Sequence, residues 1–508
     1  MVLLSRELSF SPSLSLTRAI DNGRNPGMGT ITRRKVDGRM SQALTNRKTL
    51  GLLFALLILL AGYFSPSVEG LSHDGIVGLA ILFAAVALWI CETFPLGITG
   101  LLALTLAPLL GVAQINSVFS GFGTTTVIFA ITVFGLTAIV MKSNIAVRLT
   151  GLMVRFAGTD SKRLVLAFMV FGALLSAVMN DSATLVLFLS LADVVLEKAG
   201  HIKGKSRLAK SLYLGSVLAV FTGGFTTPAG ASVNVLAMGL IEQTTGQAVA
   251  FLDWVLYAAP VVVVLIPIMW FTTVKILKPE PISQECHDAL RKEALSLGKL
   301  GIEEKKTLVM LVALPTLWIL GSWVPVLNIT TVSVIGLTAM FAPGIRLLTF
   351  SEFQKEVPWN IVIMIGAVIS LGGIVGATGG VEFLASLLIN SGFMDFNVFL
   401  CFWIIGAIVY AFHTLVPVGH SLVTILTPPL IASCMIAGYP PVIPAIILVV
   451  CCSGNFLLPI NAGVALSYRD NVYTPKDLFK TGIIPVFCII TLFAAWVPFA
   501  ASGLEAIL

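Results

Sequence analysis

Apolar residues in this chain come in long unbroken blocks rather than in alternation. The blocks at 50–64, 75–92, 96–112, 124–141, 251–276, 308–323, 332–347, 361–377 and 482–501 contain few charges. A helix crossing a bilayer needs about 20 such residues, so each block is read as a membrane span. Six further blocks are shorter. Two of them, 211–221 and 442–452, run into stretches of Gly, Ser, Asn and Pro, which predicts helices that break at membrane depth. The other four form adjacent pairs, 164–178 with 183–196 and 398–410 with 423–436. Each pair predicts a hairpin that enters and leaves on one side. Irregular backbone at that depth is tolerated only where protein or a water-filled cavity covers it.

Hairpin, short broken helix and long helix occur in that order after residue 164 and again after residue 398. The first hairpin opens to one side and the second to the other. The pattern predicts an all-α polytopic membrane protein, an inverted repeat with about 11 transmembrane helices plus two re-entrant hairpins. The segments are a basic tail (1–48), scaffold helices (49–162), the first transport half (163–277), a polar loop (278–306), further scaffold helices (307–390) and the second transport half (391–508).

Composition supports the membrane reading. Of 508 residues, 57% are hydrophobic and 11% charged, against about 25% charged in soluble domains. All 31 lysines and arginines fall in six stretches: 6–48, 142–163, 198–210, 275–306, 346–355 and 469–480. With a cytoplasmic N-terminus and re-entrant pairs, every stretch lies inside. The opposite loops carry no Lys or Arg but only acids, Glu69, Asp74, Glu242, Asp253 and Asp395 among them. That is the positive-inside pattern; a spanning hairpin would throw the downstream clusters outside. A multi-pass protein of a bacterial inner membrane is expected. The first 48 residues read as a disordered cytoplasmic tail, or as a start codon set too early, with Met28 or Met40 as the true start. An organelle transit peptide is the alternative. The seven cysteines show no disulfide or zinc spacing. There is no phosphate-binding loop of the Gly-x-x-x-x-Gly-Lys type, and nothing points to an enzyme, an organic cofactor or a nucleic acid.

The chemistry gathers at the hairpin tips and helix breaks. The first tip reads Asn180-Asp181-Ser182, and the break after it holds Thr227, Gly230 and Asn234. Freed carbonyls and hydroxyl oxygens there suit a hard cation; helix N-termini suit an anion. The second tip contains Gly419-His420-Ser421, and its break contains Asn455 and Asn461. A carboxylate at membrane depth costs about 2.5–3.5 kcal/mol on insertion scales and is a functional hypothesis by default. Asp181 could hold a cation or carry a proton; the bland alternative is a cap for the next helix. His420 could meet a substrate carboxylate or take a coupling proton, or be a satisfied interior histidine. His413 reads as packing, and Glu92, at a helix end, as structural pairing. The cation candidates are Asn180, Asp181, Ser182, Gly230 and Asn234. The substrate candidates are Asn180, Asp181, Ser182, Thr227, Gly419, His420, Ser421 and Asn461.

Three motifs carry a family resemblance. Trp89-Ile90-Cys91-Glu92-Thr93-Phe94-Pro95-Leu96 resembles a W-x-T-E-x-x-P-L signature, Val357-Pro358-Trp359-Asn360 resembles V-P-W-x, and residues 223–234 resemble G-G-x-x-T-x-x-G-x-x-x-N. In this order and spacing they resemble the divalent anion/sodium symporters, which carry dicarboxylates, citrate or sulfate. The resemblance covers the chain from about residue 50 to its end. It implies a secondary transporter with an elevator motion, a homodimer, a small anionic substrate and Na+ or H+ as coupling ion. The family's Ser-Asn-Thr tips fall on Asn180-Asp181-Ser182 and Gly419-His420-Ser421, both departures, and Ala465 stands where a Pro-Pro-Asn would end. The alternatives are an anion exchanger without a cation, an arsenite-type efflux permease, a channel, or an intramembrane hydrolase using Asp181 and His420.

Overall fold

The computed structural model describes residues 30–201, 204–392, 396–415, 419–468 and 472–505. Among them there are 21 α-helices and no β-strand. The first group is α1 (Thr30–Tyr63), α2 (His73–Ile90), α3 (Leu96–Leu109), α4 (Thr125–Lys142) and α5 (Ile145–Ala157). Next come α6 (Ser161–Ser176), α7 (Asp181–Lys198), α8 (Arg207–Gly224), α9 (Ser232–Thr245) and α10 (Phe251–Leu277). A second set of scaffold elements follows: α11 (Gln284–Ser296), α12 (Ile302–Leu320), α13 (Ile329–Phe341), α14 (Phe350–Glu356), α15 (Trp359–Ala377) and α16 (Gly380–Asn390). The chain closes with α17 (Val398–Leu415), α18 (Gly419–Ile436), α19 (Val442–Cys452), α20 (Ala462–Ala465) and α21 (Pro475–Glu505).

Local chemistry sets these boundaries. The N-caps Ser72, Asp160, Asn180, Ser206 and Ser283 each accept a backbone N–H from the first turn of their helix, which satisfies a donor the helix leaves orphaned. α2 ends where Glu92 takes a left-handed backbone (φ 49°), and Pro95 opens α3. Residues 30–48, expected as tail, are helical and run into the first apolar block without a proline between Thr30 and Tyr63 to stop them. Residues 1–29 lie outside the described residues.

Among the described residues, eight helices are long and apolar enough to cross a membrane: the 46–63 part of α1, then α2, α4, α10, α15, α17, α18 and α21. The two arms expected as the second hairpin, α17 and α18, are in this set with 18 residues each. Each runs four or five residues beyond its apolar block, through polar residues such as His413 and Thr414 or His420 and Ser421, so the apolar block alone underestimates its length. Six helices fall outside the predicted blocks: α5, α9, α11, α14, α16 and α20. α5 and α11 carry charges inside a helical repeat, α9 starts within the Gly, Ser and Asn run of the first break, and α14, α16 and α20 are only 7, 11 and 4 residues long.

Contacts divide the helices into two groups. α1, α2, α3, α13 and α15 pack with α4 and α12, while α6, α7, α8 and α10 pack with α17, α18, α19 and α21 through α10–α21 and α8–α21. α9 touches both groups, against α4 and α15 on one side and α18 and α19 on the other; α2 and α15 also meet α18, α4 meets α7, and α10 meets α12. Where α8 meets α6 the approach is backbone to backbone: a Cβ on Gly223 would lie 2.3 Å from the Ala173 Cα. Without a hydrophobic drive between helices in lipid, such close contact is what dispersion can use. Trp89, Trp254, Trp318, Tyr213 and Tyr410 are fully buried. Leu53, Leu57, Val263, Phe271, Val309 and Val312 face outward and exposed, as residues facing hydrocarbon should.

Polar ties join the helix ends. Glu280, past the end of α10, accepts the backbone N–H groups of Arg207 (2.9 Å) and Leu208 (2.6 Å) and the Arg207 Nε (3.2 Å) at the start of α8. Burial pushes the Glu280 carboxyl up, but these donations outweigh it and hold it at about 2. Arg47 stands 3.6 Å from Glu92, the structural pairing expected of that residue.

Candidate functional site

The first break is built by a turn that folds α8 back on the tip of the α6–α7 pair. Three atoms converge on Gly224: a Cβ there would lie 3.2 Å from the Gly230 carbonyl oxygen, 3.3 Å from the Asp181 Cβ and 3.4 Å from the Ser176 Oγ. A Cβ on Gly230 would lie 2.4 Å from the Gly224 oxygen and 2.7 Å from the Ser176 oxygen. Only glycine allows that approach, and the result is a cluster of oxygens with no side chain between them.

Asn234, fully buried on α9, spans the break: its Nδ2 donates to the Gly224 and Thr227 carbonyls, 2.7 Å each. Its Oδ1 has no partner among the described residues, and neither has the Ser176 Oγ at the end of α6. A buried polar atom left unpaired costs about 1–3 kcal/mol, and a cation is a group that could pair both of these. The Thr227 hydroxyl donates to the Ala177 carbonyl and accepts from Ala229 N at 3.1 Å, clamping the break to the tip.

Asp181 completes the cluster. It is 6% exposed and accepts from Ser182 N at 2.6 Å and Ser182 Oγ at 3.2 Å. No Lys, Arg or His pairs with it among the described residues. The capping role falls on its neighbour: Asn180 Oδ1 accepts from Ser182 N (3.1 Å) and Ala183 N (3.4 Å), and Asp181 is the first residue inside α7. A carboxylate at that end is favoured by the helix dipole. Asn180 N also donates to Thr137 Oγ1 on α4 at 3.1 Å, the link from this tip to the scaffold group.

The oxygens of Ser176, Asp181, Gly230 and Asn234 are of the type that could hold a hard monovalent cation. No group of three or more His, Cys, Asp or Glu suited to a transition metal occurs among the described residues. The set brings together Asp181, Gly230 and Asn234 of the expected cation residues, while the Asn180 side chain is spent on the cap. Ser176 and Ser232 are functional candidates not singled out from the sequence. Ser176 ends an apolar arm and Ser232 fills a variable position of the 223–234 motif, so the role of each depends on how the chain folds back.

The second tip reaches the first half directly. His420 Nε2 lies 2.9 Å from Ser232 Oγ, at the start of α9. Gly419 rests on α19: a Cβ there would lie 2.1 Å from the Cys452 carbonyl oxygen. Ser421 is 2% exposed and its Oγ has no partner among the described residues. Pro417 and Val418, the rest of that tip, lie outside the described residues. The N-terminal ends of α9 and α18 therefore meet at Ser232 and His420, with that of α7 beside the Gly224–Gly230 crossing. Helix N-termini favour negative charge, so this is where an anion gains most.

Asn461 is engaged elsewhere. Its Oδ1 accepts from Gly463 N (2.9 Å), which turns its Nδ2 toward His413 Nε2 (3.2 Å), and His413 Nδ1 donates to the Cys451 carbonyl (3.0 Å). His413 is a packing residue, as expected, and it holds Asn461 to α17 rather than to the tip.

The family model described as the sodium:sulfate symporter transmembrane region matches residues 46–501. A protein of Staphylococcus saprophyticus named sodium-dependent dicarboxylate transporter SdcS is 26% identical over 366 residues, covering 66% of this chain and 68% of its own. Its namesake in Staphylococcus aureus strain NCTC 8325 is 25% identical, covering 67% and 69%. A Cupriavidus necator protein named only as a membrane protein is 25% identical over 81% of this chain and 84% of its own. In fold, the chain resembles the crystal structure of the Alcanivorax borkumensis YdaH transporter, with a TM-score of 0.51, 14% identity, and 75% and 86% of the two chains covered.

Proposed function

Because the chain belongs to the sodium:sulfate symporter family, a family of membrane transporters and not of enzymes, we propose that it is a cation-coupled symporter of a small divalent anion, with a dicarboxylate such as succinate the first substrate to test and sulfate the second. The observation that carries this reading is the oxygen cluster around Asp181, which includes Asn234 in the first turn of α9, the helix whose first residue, Ser232, meets His420 of α18. A cation among the oxygens of Ser176, Asp181, Gly230 and Asn234 cancels the Asp181 charge. The anion then binds at Ser182, Ser421 and the Ser232–His420 pair without facing a bare carboxylate. Each ligand raises the affinity for the other by the same factor, because coupling is reciprocal.

The reading extends to the architecture. α6 to α10 and α17 to α21 form matching sets of contacts: in each, the two arms pack on the next helix and the first arm packs on the last. That pattern supports an inverted repeat with two re-entrant hairpins and about eleven spans. The division into two contact groups, joined most extensively at α9, supports an elevator motion of the second group against the first. The clusters of Lys and Arg support a cytoplasmic N-terminus in a plasma membrane. The family resemblance adds a homodimer, which crosslinking in native membranes tests.

The deciding experiment is uptake of labelled succinate into proteoliposomes under an imposed sodium gradient, an imposed pH gradient, or internal succinate alone. Sodium-driven uptake is expected. Uptake only against internal succinate overturns the symport reading in favour of exchange, and uptake driven by the pH gradient alone makes the proton the coupling ion.

A further inference from the structure

We propose that the face of α5 is a binding site for an anionic phospholipid of the adjacent leaflet. α5 turns one side toward a cavity of about 600 Å³ closed on the other side by α11 and the start of α12. Arg148, Leu149, Leu152 and Arg155 come from α5, and Arg291 and Leu295 from α11. The two α5 arginines are seven residues apart, two turns on one face, or about 10 Å along the axis.

The arginines are not equivalent. Arg148 is neutralised: its Nε and Nη2 donate to Glu304 at 2.9 and 2.8 Å, and its guanidinium also meets the Leu297, Gly298 and Lys299 carbonyls. It fixes the wall. Arg155 and Arg291 have no ion pair or hydrogen bond among the described residues, and no Asp or Glu lines the cavity. The cavity therefore presents two uncompensated guanidinium groups, the chemistry that takes a phosphodiester. Around them Leu152 is 50% exposed and Leu295 69%. An apolar rim this open next to a charged floor matches an acyl chain below a headgroup. A free phosphate would leave it in water. The orientation proposed above decides only which leaflet supplies the lipid; the chemistry does not depend on it.

The test uses the full chain, purified in detergent and stripped of lipid, titrated with phosphatidylglycerol or phosphatidylcholine in mixed micelles. Bound lipid is read by native mass spectrometry and stability by the thermal midpoint. Phosphatidylglycerol should bind about 10-fold or more tightly than phosphatidylcholine: both carry a phosphodiester, but the fixed choline cation cancels its charge and is repelled by the two guanidinium groups, a difference of about 1.4 kcal/mol or more. The double variant Arg155→Ala, Arg291→Ala should lose the preference, and the double lysine variant should keep part of it. Leu152→Gln, with both arginines in place, should weaken phosphatidylglycerol binding and leave sn-glycerol 1-phosphate unaffected. An equal preference in the alanine variant overturns the site. Equal protection by free glycerol phosphate makes it a small-anion site and overturns the lipid. Because the readout is lipid binding, a failure here leaves the transport reading standing, and absent transport leaves this one standing.

Discussion

Asp181→Asn removes one full charge from the proposed cation site and keeps a side-chain oxygen there. The Ser176 Oγ and the Gly230 oxygen lie within 3.4 Å of the same point as the Asp181 Cβ, so a cation among them sits on the order of 4 Å from the carboxylate charge. At that distance, with an effective dielectric of about 20, two unit charges attract by roughly 4 kcal/mol. The amide oxygen of the variant recovers part of this, leaving about 2–3 kcal/mol. That predicts a sodium concentration for half-maximal uptake about 30- to 150-fold higher. At saturating sodium the substrate affinity should stay level or improve, since the variant repels an anion less. Labelled succinate uptake into proteoliposomes at graded sodium, with potassium balancing ionic strength, measures both. A sodium requirement shifted less than about threefold, in a variant that elutes and melts like the parent, would refute the assignment of the cation to this cluster.

The glycine crossing makes a paired prediction. Gly230→Ala drives a methyl to 2.4 Å from the Gly224 oxygen and should abolish sodium-dependent uptake, whereas Gly224→Ala meets its neighbours at 3.2 Å or more and should retain it with a raised sodium requirement. Ser232→Ala and His420→Ala each remove the 2.9 Å contact between the halves; a lost hydrogen bond of about 1 kcal/mol predicts a roughly fivefold rise in the succinate KM with the sodium requirement unchanged. Glu280 carries a pH signature. Its folded carboxyl sits at about 2 against an ordinary 4.5, so its contribution is complete above pH 4.5 and lost as pH falls toward 2. Glu280→Gln should cost about 1–3 kcal/mol at pH 7 and flatten the fall in thermal stability between pH 5 and pH 3; an unchanged acid limb would count against it.

How much of this was legible in the sequence depends on the range of the interaction that decides it. The apolar blocks and the clustering of Lys and Arg are local signals, and they marked the helical membrane class and most helix positions. α5 escaped because Arg148 and Arg155 interrupt its apolar positions, and a block search discards what a helical repeat would keep. The tip residues were legible as chemistry, because an aspartate, a histidine and Gly-Thr-Pro runs inside apolar sequence are expensive without a use. Which of them meet was not. Ser232 and His420 are 188 positions apart, and Ser176 enters the proposed cation cluster only because Gly223 and Gly224 let α8 lie against α6.

The two halves are alike in order but not in what closes their breaks, and that difference bears on where coupling resides. In the first break, Ser176 Oγ and Asn234 Oδ1 remain open around a buried carboxylate. In the second, the chain satisfies itself. Asn455, fully buried, accepts from Leu457 N and Leu458 N at 3.1 Å each and donates to the His413 carbonyl. The Tyr410 hydroxyl donates to the Gly454 carbonyl at 3.1 Å and accepts from Phe456 N at 2.9 Å. His413 and Asn461 close the remainder. A break whose polar groups are already paired gains little from a cation, because the ion would have to displace hydrogen bonds that stabilise the fold. Substitutions there should therefore read out as stability. Asn455→Ala strands two backbone N–H groups and one carbonyl in the interior, at about 1–3 kcal/mol for each group left unpaired. It should lower the thermal midpoint by several degrees and leave the sodium requirement of the surviving folded protein unchanged. A sodium requirement that rises in step with the loss of stability would put the ion in the second break instead.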